Sequence, residues 1–248
     1  MRIRTITVDF WGTLLFDGPG SDNRYKRRRM TDFEAILKAD GVPATAAALD
    51  RAYDVSGEFL AGIWASYRDV PVAEHVKAIV NAVVPGRFDG LSAATRAALI
   101  DAYARPALLV PPTVDTGALA ALEALCARDY TLAVISNTMR TPGATLRKLL
   151  ERYRLLGCFK HATFSDEVGV RKPDPKIFHL TLQAVGGDVE SSVHVGDDTV
   201  LDVGGARAAG MRAIQVADAP RRSPAGFAPA AVIKSMAGLP DAIAALDR

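Results

Sequence analysis

The stretch Ile6-Thr7-Val8-Asp9-Phe10-Trp11-Gly12-Thr13-Leu14-Leu15 decides the fold. Its apolar, β-branched opening reads as a short buried strand. The run stops on Asp9, and Gly12 lets the backbone turn sharply just beyond it. A carboxylate at the end of a buried strand is costly unless a cation or good donors meet it. At the C-terminal edge of a parallel α/β sheet, that is where ligands collect. Taken alone, such an aspartate equally caps the next helix or closes a turn. The company it keeps further along the chain decides between the two.

Outward from this strand, Asp17-Gly18-Pro19-Gly20-Ser21 is a breaker cluster and a hinge. Four amphipathic helical stretches follow: Asp22 to Ala39, Ala44 to Tyr67, Val72 to Val84, and Ser92 to Tyr103 with Ser92 as N-cap. Pro106 and Pro111-Pro112 end that block. Helix and strand then alternate: strands at 131–135, 162–164, 192–195, 212–216 and 231–233, helices at 116–127, 143–153, 176–185, 200–209 and from about Pro240. Alternation with short links means a doubly wound parallel α/β sheet. The chain therefore reads as an α/β core of 1–16 plus 111–248, with a helical domain of 17–110 inserted after the first strand.

Composition narrows the class. Of 248 residues, 49% are apolar and 23% charged, as in an ordinary globular protein. Thirty basic against 28 acidic side chains leave +2, so there is no global pull toward nucleic acid or membrane. No aromatic-interleaved basic motif points to nucleic acid either. Asp9 interrupts the apolar run a signal peptide would need, and no run of about 18 apolar residues suggests a membrane span. Cys126 and Cys158 form no framework, which suits a reducing, cytoplasmic setting.

Four strand ends gather on one sheet edge. They deliver Asp9, then Ser136-Asn137, then Lys172 in Arg171-Lys172-Pro173-Asp174-Pro175, then Asp197-Asp198 with Asp202 following. Several carboxylates cannot share a pocket unless protons or a cation balance them. With no histidine or cysteine pair beside them, an all-oxygen Mg²⁺ site is the natural solution. Lys172 supplies a second cation, suited to balance a phosphate or a nucleophile.

This order resembles the haloacid dehalogenase-like hydrolase superfamily. Asp9-Phe10-Trp11-Gly12-Thr13-Leu14 resembles its first motif, Val134-Ile135-Ser136-Asn137 its second, Lys172 its third, and Gly196-Asp197-Asp198 through Asp202 its fourth. The helical insertion resembles the C1-type cap of that superfamily, and the core its Rossmann-like sheet. The resemblance implies Asp9 as nucleophile, forming an aspartyl intermediate. It implies Mg²⁺ held by Asp9, Asp197, Asp198 and the backbone carbonyl of Trp11, with Ser136 bonding the transferring phosphoryl oxygens. The expected partner is a small phosphorylated metabolite, acted on by a monomer or homodimer.

One departure matters most. Phosphatases of this superfamily usually carry a second aspartate two residues after the nucleophile, which protonates the leaving group; here that residue is Trp11. An indole N–H donates a hydrogen bond but is no acid near neutral pH. Losing a general acid typically costs about 10²–10⁴ in rate. Three readings stay open: a phosphatase whose leaving group needs no proton or finds one elsewhere, a 2-haloacid dehalogenase, or a non-catalytic binder. The dehalogenase branch carries an aromatic residue at this position and its halide needs no acid, but it does not need the metal-binding pair Asp197-Asp198.

Around the pocket, Trp11 reads as a hydrophobic wall, while Thr13 orients the loop after Asp9. Asn137 offers its amide to substrate. Within the basic run from Arg24 to Arg29, Arg28 shares a face with Arg24 and is the candidate to hold an anionic substrate. His194 reads as a buried, hydrogen-bonded residue and not as a catalytic one.

Overall fold

The computed structural model describes residues 2–219 and 226–247. β1 (Thr5–Val8) is buried along its whole length, as its run of β-branched residues requires. β4 (Thr131–Ser136), β5 (His161–Phe164), β6 (Ser192–Gly196), β7 (Arg212–Val216) and β8 (Ala231–Ile233) join it in one sheet, ordered β5-β4-β1-β6-β7-β8. Every pairing is parallel. The order runs outward from β1 in both directions, so the crevice where ligands bind lies at β1. Val8 is level with Val134 of β4 and Val195 of β6, which sets Asp9 beside Ile135 and Gly196.

Helices cover both faces of the sheet. α6 (Ala118–Cys126), α7 (Gly143–Arg152) and α11 (Leu239–Leu246) enclose Ile6, Val8, Leu122, Leu146, Leu149 and Ile243. On the other side α9 (Pro175–Val185) packs Ile177, Phe178 and Leu182 against Ile135, Val203 and Ala206. Asp174 caps α9 by accepting from Lys176 N at 2.9 Å, with Pro175 at the first helical position, where its missing N–H costs nothing. The short α8 (Ser165–Val168) directly follows β5.

Between β1 and α6 lie α1 (Ser21–Ala39), α2 (Ala46–Trp64), α3 (Val72–Val83), α4 (Ala93–Ala104) and α5 (Pro106–Leu109). Phe33, Leu37, Leu49, Val76, Ile79, Leu99 and Tyr103 give them a core of their own. Thr45 and Ser92 cap α2 and α4 by accepting from Ala48 N and Thr95 N. The block leaves through β2 (Leu15–Phe16) and returns through β3 (Thr113–Val114), which pair antiparallel. That ribbon is too short to show any alternation in sequence. Among the described residues, no helix is long and apolar enough to cross a membrane.

A buried acid ties the helical block to the sheet. Asp69, between α2 and α3, accepts at Oδ2 from Arg171 Nη1 (2.8 Å) and Ser165 Oγ (2.5 Å), and at Oδ1 from Trp64 Nε1 (3.0 Å). Arg171 stacks on Trp64, and its backbone N–H donates to Tyr67 O.

One sequence expectation is corrected. Residues 200–209 do not form a single α-helix; Thr199–Gly204 make a wider, π-helical turn before α10 (Gly205–Ala208). The turn opens because the Asp198 carboxylate accepts from both Val200 N and Leu201 N at 2.7 Å, while Val203 N reaches back to Asp198 O.

His75 of α3 is buried, with Nδ1 facing Tyr103 Oη at 3.2 Å, and burial pushes its pKa down from 6.5 to about 4. Between those values the unfolded chain takes up a proton that the folded one refuses, so stability falls as pH drops through that window. Wild type should therefore lose about 2 kcal/mol more than His75→Gln between pH 7 and pH 5. Urea unfolding of both proteins measures this; parallel pH dependence would remove His75 as the cause.

Candidate active site

The turn after β1 brings the first site residue into place. Gly12 has φ +75, and a Cβ there would sit 2.6 Å from Asp197 Cγ, so only glycine admits the acid this close to the loop. Asp9 N donates to Val195 O, which ties the end of β1 to β6. Lys172, 2% exposed, donates from Nζ to Asp9 Oδ1 and, at 2.6 Å, to Asp202 Oδ1. The Lys172 backbone is gripped on both sides by one amide. Asn137 Oδ1 accepts from Lys172 N (2.8 Å), and its Nδ2 donates to Lys172 O (2.9 Å).

Behind Asp202 the network closes on the sheet. His194 Nε2 lies 3.0 Å from Asp202 Oδ1, and His194 Nδ1 lies 2.8 Å from Thr7 Oγ1. Asp202 Oδ2 accepts from Asp198 N at 3.0 Å. His194 is fully buried and hydrogen-bonded, in the supporting place its position in the strand suggested.

Asp9, Asp197 and Asp202 each offer an oxygen within 4.8 Å of the others. Burial drives the Asp9 carboxyl up to about 8, with Asp202 and Asp197 adding to it and Lys172 opposing. Burial likewise raises Asp197 to about 6, with Asp202 the next cause. Asp202 is buried too, yet Lys172 and His194 hold it well below the usual carboxylate range. Despite burial, Asp202 and Asp9 keep Lys172 above its ordinary pKa. Ionised together, the three carboxylates would outweigh one ammonium by two charges, and the raised pKa values of Asp9 and Asp197 register that excess. An all-oxygen donor set with that excess fits a hard divalent cation.

These groups line a cavity of about 700 Å³ together with Trp11, Asn137, Arg140 and, from α1, Lys26 and Arg29. Trp11 forms part of the wall, edge-on to Phe10 at 4.9 Å between centroids.

Other sequence candidates lie elsewhere or are occupied. Asp198 lines the cavity, but one carboxylate oxygen is spent on the turn behind it; Asp202 takes its place in the acidic cluster. Asn137 has both amide groups committed to Lys172. Ser136 is fully buried, its Oγ 3.5 Å from Asn137 O, and Thr13 is fully buried with an unpartnered hydroxyl. Neither lines the cavity. Arg28 points away, paired with Asp32 at 2.9 Å. Its neighbour Arg29 reaches the cavity because Tyr25, Arg29, Phe33 and Leu37 share the buried face of α1 at four-residue spacing.

Comparison with known proteins agrees with this fold. The family model for haloacid dehalogenase-like hydrolases matches residues 3–210. A phosphoglycolate phosphatase from Rhodospirillum rubrum is 32% identical over 154 residues, 62% of this chain and 62% of its own. A phosphoserine phosphatase from Thermus thermophilus is 43% identical over 72 residues, 27% of this chain and 29% of its own. The matched stretches thus span less than two thirds of either relative. Among solved structures, a 2-haloacid dehalogenase from Pseudomonas syringae superposes with a TM-score of 0.67 at 22% identity, covering 98% of this chain and 99% of that one. That likeness is one of fold.

Gly196 tests the packing of the site. A Cβ there would fall 2.2 Å from Asp202 Cγ, so Gly196→Ala must displace the acid. The expected loss is about 1–3 kcal/mol, the range typical of overpacking. Chemical denaturation measures it; wild-type stability would show that Asp202 does not lie against residue 196.

Proposed function

The chain belongs to the haloacid dehalogenase-like hydrolases, and we propose that it is a Mg²⁺-dependent phosphatase acting on a small phosphorylated metabolite. The observation that carries this reading is the meeting of Asp9, Asp197 and Asp202 around Lys172 at the cavity. In it Asp9 attacks phosphorus and the bond to the leaving oxygen breaks, giving an aspartyl phosphate that water then hydrolyses. Lys172 favours the ionised form of Asp9 against the effect of burial and orients one oxygen, leaving the other to react. Asp9, Asp197 and Asp202 would hold the metal, which neutralises phosphoryl charge when bound. Asp202 and His194 fix the ammonium from behind, and Asn137 holds the Lys172 backbone. Ser136 and Thr13, which lie outside the cavity lining, support the loops beneath.

Trp11 shapes the substrate range. It closes the wall but supplies no proton, so the substrates are those whose leaving group departs as a stable anion, such as acyl or enol phosphates. The helical block, residues 17–110, serves as a cap that excludes water from the cavity during the first step.

Phosphate release from a metabolite panel, assayed with and without chelator, tests the reading. Asp9→Asn should abolish release while the protein still unfolds in one cooperative transition; undiminished turnover would remove the mechanism. Halide release from 2-haloacids insensitive to chelator would transfer the site to dehalogenation, the reading that Trp11 favours.

Trp11→Asp restores an acid two residues after the nucleophile. It should raise kcat on alkyl phosphate monoesters by at least about tenfold, the lower part of what a general acid contributes. An unchanged or lower rate would disprove the account of the missing acid.

A further inference from the structure

Two guanidinium groups line the same cavity as Asp9, and among the described residues neither is in contact with a carboxylate. Arg29 comes from α1, and Arg140 from the loop after β4. Arg29 is 2% exposed. Its Nε donates to Tyr103 O (2.8 Å), Nη1 to Tyr53 Oη (3.0 Å) and Nη2 to Arg140 O (2.5 Å). Arg140 lies 3.8 Å from the Tyr53 ring centroid and donates to Ser56 Oγ (3.1 Å) and Tyr53 O (3.0 Å). Every one of these acceptors is neutral. Among the described residues, neither guanidinium has a carboxylate oxygen within 4.0 Å.

The other cations of the cavity differ. Lys26 is matched by Asp50 at 2.9 Å and Asp54 at 2.8 Å, and Lys172 by Asp9 and Asp202. Asp17, an acid in the same wall, accepts from the Tyr25 hydroxyl at 3.3 Å and feels the Arg29 charge without touching it. Leaving a buried cation without a counter-ion is expensive. Of five N–H donors on each guanidinium, Arg29 uses three, and Arg140 uses two with a third toward the neutral Tyr103 hydroxyl, so both keep donors to spare. The space is shaped for the group as well: a Cβ at Gly57 would meet Arg140 Nη2 at 2.9 Å, so α2 is cut back where the guanidinium sits.

We propose that Arg29 and Arg140 form a second anion subsite, so that the substrate carries a further anionic group, carboxylate or phosphate, besides the phosphoryl group presented to Asp9. The planar fork of arginine suits either anion. This rests on the phosphatase reading for the first group only; binding at the second needs no turnover. A substrate with one phosphate and an otherwise neutral body leaves the pair bare. The two arginines also stand on either side of the seam between helical block and sheet, so an anion between them draws the two together.

Phosphonates provide the test, since they bind without being hydrolysed. The intact protein in excess Mg²⁺ is titrated calorimetrically with ω-phosphonoalkanoates of increasing chain length, with alkane bisphosphonates, and with alkylphosphonates of equal length. At least one doubly anionic ligand should bind tenfold or more tighter than its alkyl counterpart, the effect of one charge-assisted hydrogen bond. Which series gains identifies the anion. Arg140→Met, at a partly exposed position, should erase the gain, and Arg29→Lys should reduce it while the thermal melt stays cooperative. Equal binding within every pair, or a preference that survives Arg140→Met, overturns the subsite. A preference lost in Arg140→Met, in a protein that releases no phosphate from the matching monoesters, leaves the subsite standing and removes the phosphatase reading.

Discussion

A single buried ammonium, Lys172 Nζ, is shared between Asp9 and Asp202. Buried ions survive only when their partners are held in good geometry, and removing one partner of such a pair typically costs about 3–5 kcal/mol. The architecture around Lys172 meets that demand from every side. β1 brings Asp9, and the register of β6 places Gly196 beside it with room for the Asp202 carboxylate. The wide turn at Thr199–Gly204 carries Asp202 inward, and Asn137 fixes the lysine backbone from β4. His194 then links Asp202 to Thr7 on the strand that carries Asp9, so the chain of bonds ends where it began.

That arrangement still leaves negative charge in excess on one side of the cavity and positive charge in excess on the other. Asp9, Asp197 and Asp202 exceed what Lys172 can balance, whereas Arg29 and Arg140 bond only to neutral acceptors. A protein rarely tolerates such separation unless ligands complete it. On the proposed reading the cavity divides into two half-sites, one for a cation with its phosphate and one for an anion. Trp11, Trp64 and Tyr53 supply apolar surface among them.

Most of the architecture was legible in sequence because it rests on periodicity. The strands of the sheet and the helices of the inserted block fall within a few residues of where apolar spacing put them. The β2–β3 ribbon was not legible, since two residues on each side carry no pattern. Asp9, Lys172 and Asp197 could be placed at one edge from strand ends alone. The choice between Asp198 and Asp202 could not, because it turns on which carboxylate caps the following turn. In the basic run, spacing gave a helix but not its rotation. Tyr25 and Phe33 flank Arg29 at four residues on either side, and that was the available signal against Arg28.

Asp69 and Arg171 have a bearing on how this chain can diverge. Arg171 is bonded to the helical block and Lys172 to the Asp9 carboxylate, and the two are consecutive. A change in the α2–α3 loop that loosens Asp69 is felt one peptide from the ammonium. The α2–α3 loop is thereby coupled mechanically to the sheet edge through two consecutive residues.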